Sequence, residues 1–342
     1  MEVREFDFEL PQELIAQKPA SPRDHSRLLI LDRKSGELQE AFFYEIIEFL
    51  KPSDILILNE TRVRPARLHG QKNKTGGRVE ILLLRPLDSQ LKWEALARPG
   101  RRLQPGTRLD FGDRKQAAEI VEVSSSGGRV VRFFSREDLE QSMAQCGQLP
   151  LPPYIKRPLG EPDQYQTIYA REEGSVAAPT AGLHFTPELL DRIKGKGIKL
   201  GRVVLHIGYD TFRPVETEKV EDHAMHSEYF EVPRETADLI NSARREGRRI
   251  IAVGTTVVRT LEASFSTEEG VQSGSGQTDL FIYPGYRFRV IDALITNFHL
   301  PRSSLLMLTC AFAGRERLLN AYRHAVKNEF RFFSFGDAMF IK

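Results

Sequence analysis

The sequence predicts an α/β protein: a large mixed α/β domain interrupted by an inserted small all-β barrel. Three observations predict it. Strand-like and helix-like patterns alternate over 1–62 and again beyond 150. Between Arg64 and Phe134 helical periodicity disappears, and short strands alternate with glycine turns. The proline-stiffened stretch Leu149-Pro150-Leu151-Pro152-Pro153-Tyr154-Ile155 then leads back to the alternating texture. The expected domains are a discontinuous α/β domain, 1–62 with 150–342, and an inserted barrel, 63–149. Three serial units are the alternative, but 1–62 is short for a core of its own.

The elements follow in order. Pro11 to Ile15 reads as a short helical turn, and Pro19 to Arg27 as a polar loop rich in turn formers. Leu28 to Asp32 is a short buried strand. Phe42 to Leu50 carries apolar residues at helical spacing, and Asp54 to Arg62 is a buried strand with a polar end. The barrel strands are expected at Arg78–Leu84, Lys92–Ala97, Thr107–Phe111, Ala117–Val123 and Arg129–Phe134. A capped helix runs from Ser135 to Gly147. Thr186-Pro187-Glu188 opens a helix to Lys196, with an N-cap, a proline at the first position and an acid in the first turn. A strand at Leu200–Ile207, a helix at Pro233–Glu246, a strand at Arg249–Val253 and a helix at Val257–Ser264 come next. Ser273 to Gly276 reads as a flexible loop. Leu280–Tyr283 and Arg289–Thr296 read as strands, then Leu305–Ala313 and Arg315–Lys327 as helices.

Composition limits the function. The 342 residues are 40% hydrophobic and 28% charged, ample for a sizeable core. Net charge is only +2, so a polyanion must be met by local patches. Cys146 and Cys310 form no metal or redox motif, which fits a reducing compartment. The first residues hold no apolar signal region, and no apolar run is long enough to span a bilayer. The expected setting is cytoplasmic, with no membrane partner and a monomeric state.

Polar or glycine-rich turns follow several strands, and in α/β folds such strand ends converge on one crevice. They contain His184, His206, Gly254-Thr255-Thr256 and His299. Small residues at Gly174 to Thr186, with Pro179, Thr180 and Gly182, let a backbone approach a ligand, although an ordinary connecting loop has the same composition. Free N–H groups at Gly254, Thr255 and Thr256 suit a carboxylate or phosphate; plain helix capping is the alternative. His184, His206, His226 and His299 are candidates for proton transfer, each with a structural histidine as the bland reading. His223-Ala-Met-His226 lacks the glutamate of the zinc-protease motif, so no metal is expected. There is no dinucleotide fingerprint and no P-loop. The β block carries many cations, Arg64, Arg101 and Arg102 among them, and the early loop adds Arg23 and Arg27. These are candidate nucleic-acid contacts, against a merely solvated surface. Phe330, Phe332, Phe333 and Phe335 suit a core better than base stacking.

Long motifs carry a resemblance. Leu149-Pro-Leu-Pro-Pro-Tyr-Ile155, Gln166-Thr-Ile-Tyr-Ala170, Val176-Ala-Ala-Pro-Thr-Ala-Gly-Leu-His-Phe-Thr186, His223-Ala-Met-His226, Val253-Gly-Thr-Thr256, Thr278-Asp-Leu-Phe-Ile-Tyr-Pro-Gly-Tyr286, Thr296-Asn-Phe-His-Leu-Pro301 and Phe330-Arg-Phe-Phe-Ser-Phe-Gly-Asp-Ala-Met339 resemble the S-adenosylmethionine:tRNA ribosyltransferase-isomerase family of queuosine biosynthesis, nearly end to end. Asp210 stands where the family's Gly-x-Gly-Thr-Phe loop usually has glycine.

The resemblance implies an α/β domain with an inserted barrel. It implies S-adenosylmethionine as a co-substrate that donates its ribosyl part, no tightly bound cofactor, and a tRNA carrying 7-aminomethyl-7-deazaguanine at the wobble position. Epoxyqueuosine-tRNA would form, with adenine and methionine released. Within this frame His184 and His299 are the leading base and acid, and Asp210 or Thr255 and Thr256 would hold the methionine amine and carboxylate. Two other readings remain: a non-catalytic RNA-binding protein, and a histidine-metal hydrolase.

Overall fold

The computed structural model describes residues 1–88, 91–124, 127–212 and 214–342. The chain forms two compact units, one of Met1–Arg62 with Pro152–Lys342, the other of Val63–Leu151. Before the second unit come strands β1 (Arg27–Leu31), β2 (Leu38–Phe42) and β3 (Ile55–Asn59).

The inserted unit holds β4 (Arg67–Lys72), β5 (Arg78–Asp88), β6 (Lys92–Arg98), β7 (Arg108–Phe111), β8 (Arg114–Val123) and β9 (Arg129–Phe133). Every pairing is antiparallel, and the order β4-β5-β6-β9-β8-β7 closes when β7 pairs back to β4 through Gln71↔Asp110. This is the expected barrel. Closure leaves no open edge and turns alternate side chains inward. Leu68, Ile81, Leu109, Phe111, Ile120, Val131 and Phe133 are all at most 1% exposed. At the seam a side chain on Gly70 would stand 2.5 Å from the Asp110 carbonyl, so the closing strands need glycine there. Helix α1 (Arg136–Cys146) begins at Ser135, whose hydroxyl accepts from the Asp138 N–H at 3.0 Å.

The larger unit continues with α2 (Pro187–Gly195), β10 (Lys199–Leu205), β11 (Glu228–Val232), α3 (Arg234–Arg245), β12 (Ile250–Val253) and α4 (Thr255–Ala263). It ends with β13 (Gly274–Thr278), β14 (Ala293–Asn297), α5 (Ser304–Ala313), α6 (Arg315–Lys327) and β15 (Ala338–Ile341). Nine strands form one sheet, ordered β13-β11-β10-β3-β12-β14-β15-β1-β2. β10, β3, β12 and β14 are mutually parallel. β15 runs against β14, and β1 runs parallel to β15.

Side chains alternate across this sheet and separate into two cores. Ile55, Ile57, Ile250 and Leu294 pack with α3, α4, α5 and α6 on one face. Leu56, Leu58, Ile251 and Ile295 pack with α2 and the 3-10 segment Phe43–Phe49 on the other. Burial on both faces explains why these strands read as unbroken apolar runs.

Several local expectations change. Phe43–Phe49 coils as a 3-10 helix. Ser273 to Gly276, expected as a loop, runs into edge strand β13, which pairs with β11. A side chain on Gly276 would meet the Phe230 ring at 3.3 Å, so the aromatic ring covers the bare backbone. Leu280 to Tyr283 forms no strand. Its backbone is used otherwise: the Arg259 Nε donates to the Leu280 carbonyl at 3.0 Å. Among the described residues no helix is long and apolar enough to cross a membrane. All four C-terminal phenylalanines are buried, and Phe330, Phe332 and Phe335 are at most 2% exposed.

Candidate active site

Four parallel strands end at one edge of the sheet, and two opposed strands begin there. The register Asn297↔Ala338 and Leu28↔Ala338 sets the end of β14 beside the starts of β15 and β1. Segments that follow β10, β12 and β14 therefore meet segments that precede β15 and β1. A cavity of about 670 Å³, counting its open mouth, lies at this edge. Its walls include Pro179 and Thr180, Gly254 to Thr256, Thr296 to Leu300, and Tyr154 with Phe333 and Ser334.

His299 lines this cavity. Its Nε2 pairs with Thr296 Oγ1 at 2.8 Å, and its backbone N–H donates to the Tyr322 hydroxyl at 2.9 Å. The tautomer that donates Nε2–H to Thr296 leaves an Nδ1 lone pair with no protein partner among the described residues. Burial lowers its pKa to about 3, so the ring is neutral near pH 7.

His184 sits behind the wall. It is 4% exposed and absent from the cavity lining. Its Nε2 accepts from Asn297 Nδ2 at 3.0 Å, which leaves Nδ1–H to donate to Ser26 Oγ at 2.7 Å. Asn297 Oδ1 in turn accepts from Thr180 Oγ1 at 2.9 Å, and both residues line the cavity. His184 thus fixes two wall residues through one amide. Burial, with the charges of Arg331 and Arg23, lowers its pKa to about 3.

The other residues separate clearly. His206 pairs through Nδ1 with Thr61 Oγ1 at 2.8 Å and stacks on Tyr229, away from the cavity wall. His226 is bonded to Glu228 at 3.0 Å, also off the wall. Gly182 is small because Tyr169 needs the room: an added side chain would overlap its hydroxyl. Gly254 takes φ 94°, a left-handed turn that lets β12 run straight into α4. Thr255 and Thr256 open α4 on the cavity, where the first N–H groups and the helix dipole favour an anion. The Asp210 side chain lies outside the described residues.

Asn59, at the polar end of β3, ties the floor together. Its amide donates to the Leu205 carbonyl and to Thr256 Oγ1, both at 3.1 Å, and its Oδ1 accepts from the N–H groups of Leu205 and Thr61. Phe333 takes φ 70°, a conformation that costs a non-glycine residue about 1–3 kcal/mol. It is held there by its N–H on the Phe298 carbonyl and by Asn297 Nδ2 on its own carbonyl.

A sequence model described as queuosine biosynthesis protein matches residues 3–341. The chain belongs to the queuosine biosynthesis family of ribosyltransferase-isomerases. It is 52% identical to the S-adenosylmethionine:tRNA ribosyltransferase-isomerase of Natranaerobius thermophilus and 55% identical to that of Heliobacterium modesticaldum, each over the full length of both chains. A crystal structure of the S-adenosylmethionine tRNA ribosyltransferase from Thermotoga maritima is 40% identical. It covers 99% of this chain and 100% of its own, with a TM-score of 0.57.

In this member of the queuosine biosynthesis family, sequence reasoning missed a buried charge cluster beside the cavity. Glu228 on β11 and Arg259 on α4 form an ion pair, 3% and 4% exposed. Glu228 Oε1 also accepts from the Gly208 N–H at 2.7 Å and from Thr211 Oγ1 at 3.1 Å, and Thr211 lines the cavity. Burial alone would raise the Glu228 pKa; the His226 hydrogen bond and the Arg259 charge outweigh it and hold the carboxyl at about 2. An arginine inside the apolar run Val257-Val258-Arg259-Thr260-Leu261 was the available signal. Arg259→Met strands the Glu228 carboxylate and is expected to cost about 3–5 kcal/mol. Thermal unfolding should fall by roughly 6–10 °C; a shift within error would contradict this role.

The candidate tRNA arginines also divide. Arg23 donates to the carbonyls of Gln166 and Asp163, and Arg27 to the Asn328 carbonyl and Glu40. Both are occupied inside the fold. Arg64 lies over the Trp93 ring at 5.7 Å. Arg101 and Arg102 are exposed on the turn Gly100–Arg102 of the barrel unit. Among the described residues, no group of three His, Cys, Asp or Glu could hold a metal ion.

Proposed function

We propose that the protein transfers and isomerises the ribosyl part of S-adenosylmethionine onto 7-aminomethyl-7-deazaguanine at the tRNA wobble position. The products are epoxyqueuosine-tRNA, adenine and methionine. One observation carries the reading at the level of the site: the N-terminus of α4 and the neutral His299 line the same cavity. The first offers N–H groups to the methionine carboxylate. The second offers an imidazole in the proton-accepting form.

The positive sulfur acidifies the adjacent C5′ hydrogens, so His299 needs to be only a modest base. Loss of that proton, departure of adenine with ribose opening, attack by the aminomethyl-deazapurine, and epoxide closure with departure of methionine complete the sequence. The proton taken from C5′ balances the one gained by adenine, and the proton that the attacking amine loses is released to solvent as the departure of methionine discharges the sulfonium. His184 acts as a positioning residue through Asn297 and Thr180. His206 and His226 serve their own loops, and Gly182 makes room for Tyr169.

Incubation with S-adenosylmethionine and precursor-modified tRNA should release adenine and methionine in equal amounts. Release of S-adenosylhomocysteine would indicate methyl transfer and overturn the proposal. Arg101 and Arg102 are assigned to tRNA phosphates. Arg101→Ala with Arg102→Ala should weaken tRNA binding and reduce the salt slope by about 2. An unchanged slope in binding titrations would remove this surface from the assignment.

A further inference from the structure

One corner of the cavity has features that these roles do not use. The Tyr154 and Phe333 rings meet with centroids 4.8 Å apart and planes inclined at 47°, forming two walls of a corner. Ser334 Oγ lies 2.7 Å from the Tyr154 hydroxyl and also lines the cavity. Behind it stands Tyr165, 0% exposed, whose hydroxyl lies near the Ser334 side chain and the Ala178 backbone without a hydrogen-bond partner. Buried hydroxyls rarely stay unpaired. When the Tyr154 phenol turns its hydrogen toward Ser334 Oγ, the serine's own hydrogen is available to a ligand.

We propose that this corner seats the adenine ring of S-adenosylmethionine, packed against Tyr154 and Phe333, with a ring nitrogen accepting from the Ser334 hydroxyl. The inference rests on the function proposed above. Aromatic walls fit a planar heterocycle. The donor fits adenine, whose N7 accepts a hydrogen bond that the carbon at that position of a 7-deazaguanine cannot. The corner is also interior, with Phe333 and Ser334 only 4% and 3% exposed, which suits a small molecule.

The same contact assists the chemistry. As the C1′–N9 bond breaks, its electron pair moves onto adenine, and a hydroxyl donor at a ring nitrogen stabilises that charge. His184 is neutral near neutrality and lies off the cavity wall, so it does not supply this charge. Adenine then takes its proton from solvent.

The test uses Ser334→Ala and Tyr154→Phe, conservative changes that keep the packing. Three quantities are read: kcat for adenine release, inhibition by free adenine, and affinity for a precursor-modified anticodon stem-loop. Ser334→Ala should lower kcat and weaken adenine inhibition, each about tenfold, with stem-loop affinity unchanged. Tyr154→Phe should move the first two in the same direction by less. Unaltered adenine inhibition in both variants would overturn the assignment. So would loss of stem-loop affinity with adenine inhibition intact, which would put the RNA base in the corner. Absence of adenine release by the unmodified protein would overturn the function instead, and the corner would then stand or fall on adenine inhibition of binding alone.

Discussion

On the proposed function, replacing His299 by alanine should lower adenine release by about 10²- to 10⁴-fold, the usual contribution of a positioned proton acceptor. The loss should fall on kcat, because the ring lines the cavity while the anion site at α4 stays intact. His184→Ala behaves differently. It leaves Ser26 Oγ and Asn297 Nδ2 without their buried partner, which costs about 1–3 kcal/mol for each group left unsatisfied. Its main readout is therefore a lower melting temperature, followed by weaker substrate binding as Thr180 and Asn297 lose their anchor. Steady-state kinetics beside thermal unfolding separate the two. Equal falls in kcat at unchanged stability would return His184 to the reacting atoms, and unchanged adenine release in His299→Ala would remove His299 from them.

Acid should unfold the larger unit well above the carboxylate range. His184 and His299 have folded-state pKa values of about 3, below the ordinary histidine value of 6.5. As pH falls below that value the unfolded chain binds two protons that the fold refuses. Their stabilisation is fully present above pH 6.5 and is lost as pH falls toward 3. Two protons correspond to about 2.7 kcal/mol per pH unit. Over two units that is on the order of 5 kcal/mol, comparable to the whole stability of a modest domain. Denaturant titrations from neutral pH downward should show this slope, and His299→Gln should halve it. A flat profile down to pH 4.5 would contradict the burial of neutral imidazoles.

The sequence discloses an element when its burial is simple. β3 and β12 are buried on both faces, so Ile55-Leu56-Ile57-Leu58 and Ile250 to Val253 stand out as apolar runs. β2 lies at the sheet edge, and β4 keeps one buried residue, Leu68, in a polar segment; neither shows a pattern. The paired strands β11 and β13 escaped together, since a Gly-Ser stretch becomes a strand only when a partner is present. Site residues follow the same logic. The glycine-threonine turn after β12 is legible because a left-handed turn and a helix start have local signatures. The environment of His184 is not local: its partners Ser26 and Asn297 are 158 and 113 positions away. Sequence alone lists His184 among the proton-transfer candidates; the fold puts an asparagine and a threonine between it and the cavity.

The placement of β15 has a consequence for how this protein is made. β15 follows the other described strands in sequence, yet it sits between β14 and β1 and is the link that joins the β1–β2 hairpin to the rest of the sheet. Pairing across such sequence separation is slow to form. A nascent chain that stops short of residue 338 already carries all the histidines, but its hairpin is unmoored, and the edge on which Phe333 and Ser334 are held is missing. Prematurely terminated chains that lack β15 are therefore expected to lack the assembled pocket.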